Sequence, residues 1–118
     1  MVKSWLEGNM VWVEIEGEFL ADELIGETNK WLETHKDDYI GYLVDIRKMT
    51  RQTTLEQKKA EEAATKNQSG KPRAVIGKDA ATATLVNIYT RFTGAKGMHY
   101  FTDVEKAREW LKQRKVND

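Results

Sequence analysis

The chain of 118 residues has two histidines and no cysteine, and this bounds the acid–base and nucleophilic chemistry open to it. A serine or threonine nucleophile needs a base in hydrogen-bond reach and a third group to orient that base. His35 falls at the end of a helical pattern, where an imidazole meets terminal carbonyls and the negative end of the helix dipole. His99 lies inside an apolar strand pattern between Met98 and Tyr100. Both read as structural, and neither stands in a metal-ligand spacing. Without cysteine there is no thiol nucleophile, thiolate metal site or disulfide framework. Gly77-Lys78-Asp79 joins a strand to a helix but lacks the glycine spacing of a P-loop or a dinucleotide turn. The expectation is a protein that binds rather than catalyses, with no cofactor and no metal.

A second constellation points to recognition. Arg47, Lys48 and Arg51 follow one apolar run, and Lys78 follows another. In a parallel sheet the loops leaving strand C-termini share one edge with helix N-termini, where ligands commonly bind. Helix starts at Thr53 and Asp79 would each add about half a positive charge. Arg47, Lys48, Arg51, Thr53, Thr54 and Lys78 therefore form a candidate binding edge for a phosphate-bearing ligand, a lipid headgroup or an acidic partner. The competing reading is a solvated rim of bases, with Thr53 and Thr54 as helix caps.

The formal net charge is zero, which argues against nucleic acid as a partner. Charge is nevertheless unevenly spread. Residues 1–46 hold eleven acids and three bases, net −8, whereas residues 47–78 hold nine bases and three acids, net +6. No run approaches the roughly 20 apolar residues of a membrane span. The start, Met1-Val2-Lys3-Ser4-Trp5, is not followed by the apolar stretch of a secretion signal, so a cytoplasmic address is expected.

The elements that position these residues follow from periodicity. Lys3–Leu6 and Met10–Gly17 flank Glu7-Gly8-Asn9, a strand–turn–strand pattern. In the second strand Val11, Val13 and Ile15 alternate with Met10, Trp12, Glu14 and Glu16, and Trp12 is expected at an edge or partly exposed. A helix is expected over 21–34, and the apolar run 39–46 suits a strand covered on both faces. Thr53-x-x-Glu56 is a capping box opening a helix to about Lys66. Residues 67–72 form a loop, 73–77 a short strand, 80–92 a helix capped by Asp79, and 98–101 the last strand. Thr102-x-x-Glu105 reads as a second box, opening a final helix with Val104, Ala107, Trp110 and Leu111 inward. One domain of order β-β-α-β-α-β-α-β-α results: an α/β fold whose mixed, mostly parallel five-stranded sheet carries helices on its faces.

The helix expected over 80–92 is uncharged until Arg91. Ala83, Val86 and Tyr89 widen its apolar surface beyond the stripe that packs on a sheet, suggesting a dimer face or the cover of an apolar pocket. Equally, alanine and threonine tolerate exposure.

Four segments together resemble the STAS superfamily, in its SpoIIAA-like branch of small stand-alone domains: Val11–Gly17, Gly41–Ile46, Arg73–Gly77 and Tyr100–Leu111. The last, with Tyr-Phe ending a strand, a capped helix start and a Trp-Leu end, is the most specific. The resemblance implies regulation through a protein partner, the typical members antagonising anti-sigma factors. In those members a serine at the start of the second helix is switched by phosphorylation; the same count from Asp45 reaches Thr54, preceded here by Thr53 and not by aspartate. Similarity of the branch to the lipid-binding Sec14 fold implies the alternative, a carrier or sensor of a small amphipathic or anionic ligand, in peripheral contact with a membrane. The leading expectation is a non-enzymatic interaction domain, a homodimer.

Overall fold

The computed structural model describes residues 1–35, 37–66, 71–78 and 98–116. Strand β1 (Val2–Glu7) pairs antiparallel with β2 (Met10–Glu18) around the two-residue turn Gly8-Asn9. Gly8 has φ 63°, the left-handed value that the first central position of a type II′ turn requires. Helix α1 spans Ala21–Thr34, the range expected from sequence, and ends where the His35 N–H bonds the Trp31 carbonyl at 2.8 Å. Strand β3 (Tyr42–Arg51), helix α2 (Thr54–Lys66), β4 (Arg73–Ile76), β5 (Met98–Phe101) and helix α3 (Val104–Val116) follow.

The five strands lie in chain order, β1-β2-β3-β4-β5, with β2 to β5 mutually parallel. This is the mixed, mostly parallel α/β sheet that the residue pattern calls for. The helix expected over 80–92, its Asp79 cap and the face Ala83, Val86 and Tyr89 lie outside the described residues, as do positions 67–70 of the expected loop.

Alternation along β2 divides two cores. Val11, Val13 and Ile15 face one side with Phe19, Ala21, Tyr39, Tyr42 and Val44, and partly buried side chains of α1 pack against them. Met10 and Trp12 face the other side with Leu43, Ala74 and Ile76, beneath Ala107 and Leu111 of α3. Connections between adjacent parallel strands are right-handed, which brings α1 and α2 to the same face; α3, leaving the last strand, covers the opposite one. Against expectation, Trp12 is buried, at 8% exposure. Its ring is covered by Trp5, stacked at 6.3 Å, and by the Arg108 guanidinium at 5.8 Å. Both neighbours come from other elements, so strand periodicity alone leaves the ring at an edge.

Two helix starts also differ from the sequence pattern. Asp103, not Thr102, caps α3: its Oδ1 accepts the N–H groups of Glu105 at 2.8 Å and Lys106 at 3.3 Å. Thr53 does cap α2, accepting the Glu56 N–H on Oγ1 at 3.2 Å. The Glu56 carboxylate, however, does not return to its own helix. It accepts the Ala21 N–H at 2.8 Å, supplying the cap that Leu20 cannot give α1.

Candidate functional site

Three of the residues singled out for binding, Arg47, Lys48 and Arg51, lie near the C-terminal end of β3, and the local structure there differs from the expected loop. β3 does not end at Ile46; it runs to Arg51, placing Arg47, Lys48 and Arg51 within the strand. Two irregularities make this extension. Between the pairs Glu14–Asp45 and Glu16–Lys48, β3 carries one residue more than β2, and it does so again between Gly17–Met49 and Glu18–Arg51. Such bulges bend a strand and re-aim its side chains.

The first bulge is organised by Asp45, 4% exposed and buried beside the core. Its Oδ1 accepts both the Arg47 backbone N–H at 3.0 Å and Arg47 Nε at 2.9 Å, and Oδ2 accepts Nη2 at 2.9 Å. Burial alone would push the Asp45 carboxyl up, but the Arg47 hydrogen bonds and the charges of Arg47 and Lys48 hold it below its ordinary range. Arg47 is correspondingly raised, first by its hydrogen bond to Asp45. One residue on, Lys48 Nζ bonds Glu14 Oε1 at 2.9 Å, and that bond raises its ammonium above the usual value.

Thus the structure brings Arg47 and Lys48 together with two carboxylates, Asp45 and Glu14, and their charge is locally matched. Arg51, further along β3 beside Glu18, is exposed and makes no ion pair among the described residues. Lys78, also exposed, follows β4, whose last residue Ile76 is the register partner of Asp45; it leaves the sheet on the same edge. Thr53 spends its hydroxyl on the α2 cap, whereas Thr54, first residue of α2, is exposed. The face of Ala83, Val86 and Tyr89 lies outside the described residues.

Sequence reasoning passed over two apolar side chains beside Thr54. Leu55 is 64% exposed at the start of α2, and Leu20, just before α1, is 40% exposed. The Glu56–Ala21 hydrogen bond draws these two helix starts together. The signal in the sequence is that Leu55 sits alone in an otherwise charged, alanine-rich helix, with no partner at helical spacing for packing on a sheet. Among the described residues no group of three histidine or acidic side chains converges as a metal site, and no helix is long and apolar enough to cross a membrane.

No protein-family model matches the sequence, and no curated protein does. Solved structures do. An uncharacterized protein of the DUF3478 family from Shewanella loihica PV-4, with a SpoIIAA-like fold, superposes with TM-score 0.68 at 16% identity, over 94% of this chain and 92% of that one. An anti-sigma factor antagonist from Mycobacterium paratuberculosis gives 0.67 at 14% identity, over 95% and 93%. The anti-sigma factor antagonist SpoIIAA in its unphosphorylated form gives 0.62 at 5% identity, over 98% of both. With the strand order, the end-to-end coverage and the segments quoted from the sequence, these likenesses identify the chain as a domain of the SpoIIAA-like fold.

Proposed function

We propose that this domain is a non-enzymatic regulatory module that acts by binding another protein, through the surface where β3 passes into α2. The observation that carries the reading is an exposed apolar pair, Leu20 and Leu55, at two helix starts joined by the Glu56–Ala21 bond, beside exposed Thr54 and Arg51, a base with no ion pair among the described residues. Large exposed apolar side chains rimmed by polar groups are the usual ingredients of a protein contact. The end-to-end likeness to two anti-sigma factor antagonists supports a regulatory role for such a contact. The local neutralisation of Arg47 and Lys48 favours a partner that docks apolar groups and pairs with Arg51 over one held by bulk positive charge.

The test is affinity capture with the wild-type domain, identification of the captured protein, and titration of that purified protein against variants. Leu55→Glu and Leu20→Glu are expected to weaken binding by at least about tenfold, the scale of one lost central contact. Arg47→Ala should have a smaller effect. Unchanged affinity in both leucine variants removes this surface from the interaction.

A further inference from the structure

We infer that two copies of this chain associate through β1, antiparallel about a two-fold axis at Trp5, joining their sheets into one. The inference is independent of the surface at Leu20 and Leu55, because β1 is the outer strand at the far edge of the sheet from β5.

The ladder says which backbone groups of β1 are not used by β2. Met1 and Glu16 exchange both hydrogen bonds, Met1 N to Glu16 O and Glu16 N to Met1 O, each at 2.8 Å. Alternation then makes Lys3–Glu14, Trp5–Trp12 and Glu7–Met10 the hydrogen-bonded pairs of the hairpin. The N–H and C=O groups of Val2, Ser4 and Leu6 therefore point outward from the sheet. Sheet edges are ordinarily guarded by proline, bulges, shortness or several charges. β1 has six residues, an unbroken register with β2, no proline and one lysine. It also presents Trp5, 40% exposed, and Leu6, 44% exposed. β5, the opposite edge strand, has four residues.

Complementarity selects a second copy as the occupant and fixes the register. With Trp5 opposite Trp5 of the other copy, Ser4 faces Leu6, and both have outward backbone groups to exchange. The same register sets Lys3 against Glu7 twice, once on each side of the axis. Lys3 is exposed and without an ion pair among the described residues, while Glu7, bound by Arg108 through Oε1, has a side chain that is 39% exposed. Shifting the strands by two residues sets Lys3 against Trp5 and leaves both charges unmatched. Facing aromatic pairs and opposite charges are the combinations that stabilise antiparallel strands.

The chain has no cysteine, so a single introduced thiol reports the register. Opposed Trp5 residues form a non-hydrogen-bonded pair with Cα atoms about 4.5 Å apart, inside the span of a disulfide. Two Lys3 residues would stand roughly 13 Å apart, well outside it. Under mild oxidation Trp5→Cys is expected to link into dimers at least about tenfold faster than Lys3→Cys, reflecting the effective concentration within a dimer. In parallel, light scattering of the wild type from about 1 μM to about 1 mM should show reversible dimerisation. Leu6→Pro, which removes an outward N–H and leaves the β2 ladder intact, should raise the dissociation constant at least about tenfold. Lys3→Glu and Glu7→Lys should each dimerise poorly alone and pair with one another when mixed. Equal linking rates for the two thiol variants overturn the proposal. So does a wild type that stays monomeric throughout, which would leave the edge to a strand of another protein, or a dimer indifferent to Leu6→Pro.

Discussion

The Glu56 carboxylate of α2 accepts the Ala21 N–H of α1 at 2.8 Å, so one helix supplies the cap of another. Leu20, the residue at the cap position of α1, has no side-chain acceptor, and Glu56 would otherwise complete a box with Thr53. Replacing it with alanine leaves the first turn of α1 unsatisfied while keeping the Thr53 cap of α2. Glu56→Ala is expected to lower unfolding free energy by about 1–2 kcal/mol, the usual cost of a lost cap. Glu56→Gln, which keeps an acceptor, should lose less. Urea titration followed by circular dichroism measures both, and a loss in Glu56→Gln equal to that in Glu56→Ala would contradict the capping role.

Asp45→Asn should destabilise the fold by about 1–3 kcal/mol at neutral pH, because a buried acceptor of three bonds from Arg47 loses its charge. The pH dependence has a definite sign. A carboxyl held below its ordinary value of 3.8 contributes stability that is present above that value and lost as pH falls through the lower folded-state value. The gap between wild type and Asp45→Asn should therefore narrow in acid below 3.8 and stay constant above about pH 5. A gap that widens on acidification would refute the pairing.

Ser4 ties β1 to α1. Its hydroxyl donates to the Glu27 carboxylate and accepts Trp31 Nε1 at 2.7 Å. The Ser4 hydrogen bond is the main reason the Glu27 carboxyl lies below its ordinary 4.5, working against burial and helped by Lys30. In Ser4→Ala the Glu27 titration midpoint is expected to rise toward 4.5 or beyond, read from the side-chain carboxyl resonance. Trp31→Phe removes the indole donor and part of the ring but leaves the Ser4–Glu27 bond, and should move that midpoint much less. A midpoint unmoved in Ser4→Ala would assign the depression elsewhere.

Gly77 carries a steric demand. A Cβ built there would overlap the phenol of Tyr100, which is buried on the neighbouring strand. Gly77→Ala should cost about 1–3 kcal/mol, as over-packing does, and Tyr100→Phe in the same background should recover part of it by withdrawing the hydroxyl. Thermal unfolding of the single and double variants decides the matter; strictly additive losses would exclude the contact.

Patterns local in the chain were legible from sequence, and pairings across elements were not. The alternation of Val11, Val13 and Ile15 marked one core face, and α1 matched its expected ends. β3 runs past its expected end: Arg47 and Lys48 break the apolar run, and charged residues there read as loop. Their strand conformation depends on Asp45 and on Glu14 of the adjacent strand, a partner 34 residues away that no window of sequence brings near. The burial of Trp12 hangs on Trp5 and Arg108 in the same way. Leu55 was legible in principle, as an isolated leucine with nothing on its own helix face to pack with.

Because the strands stand in the sheet in the order in which they occur in the chain, each new strand can dock on an edge already in place. None has to be threaded between two earlier neighbours. During synthesis the sheet can therefore grow from its N-terminal hairpin outward as residues leave the ribosome. Helix α3 must then reach back across the strands, bringing Ala107 and Leu111 onto Leu43 and Ala74. Until residues 104–116 have emerged, Leu43 and Ala74 lack the cover that Ala107 and Leu111 bring them.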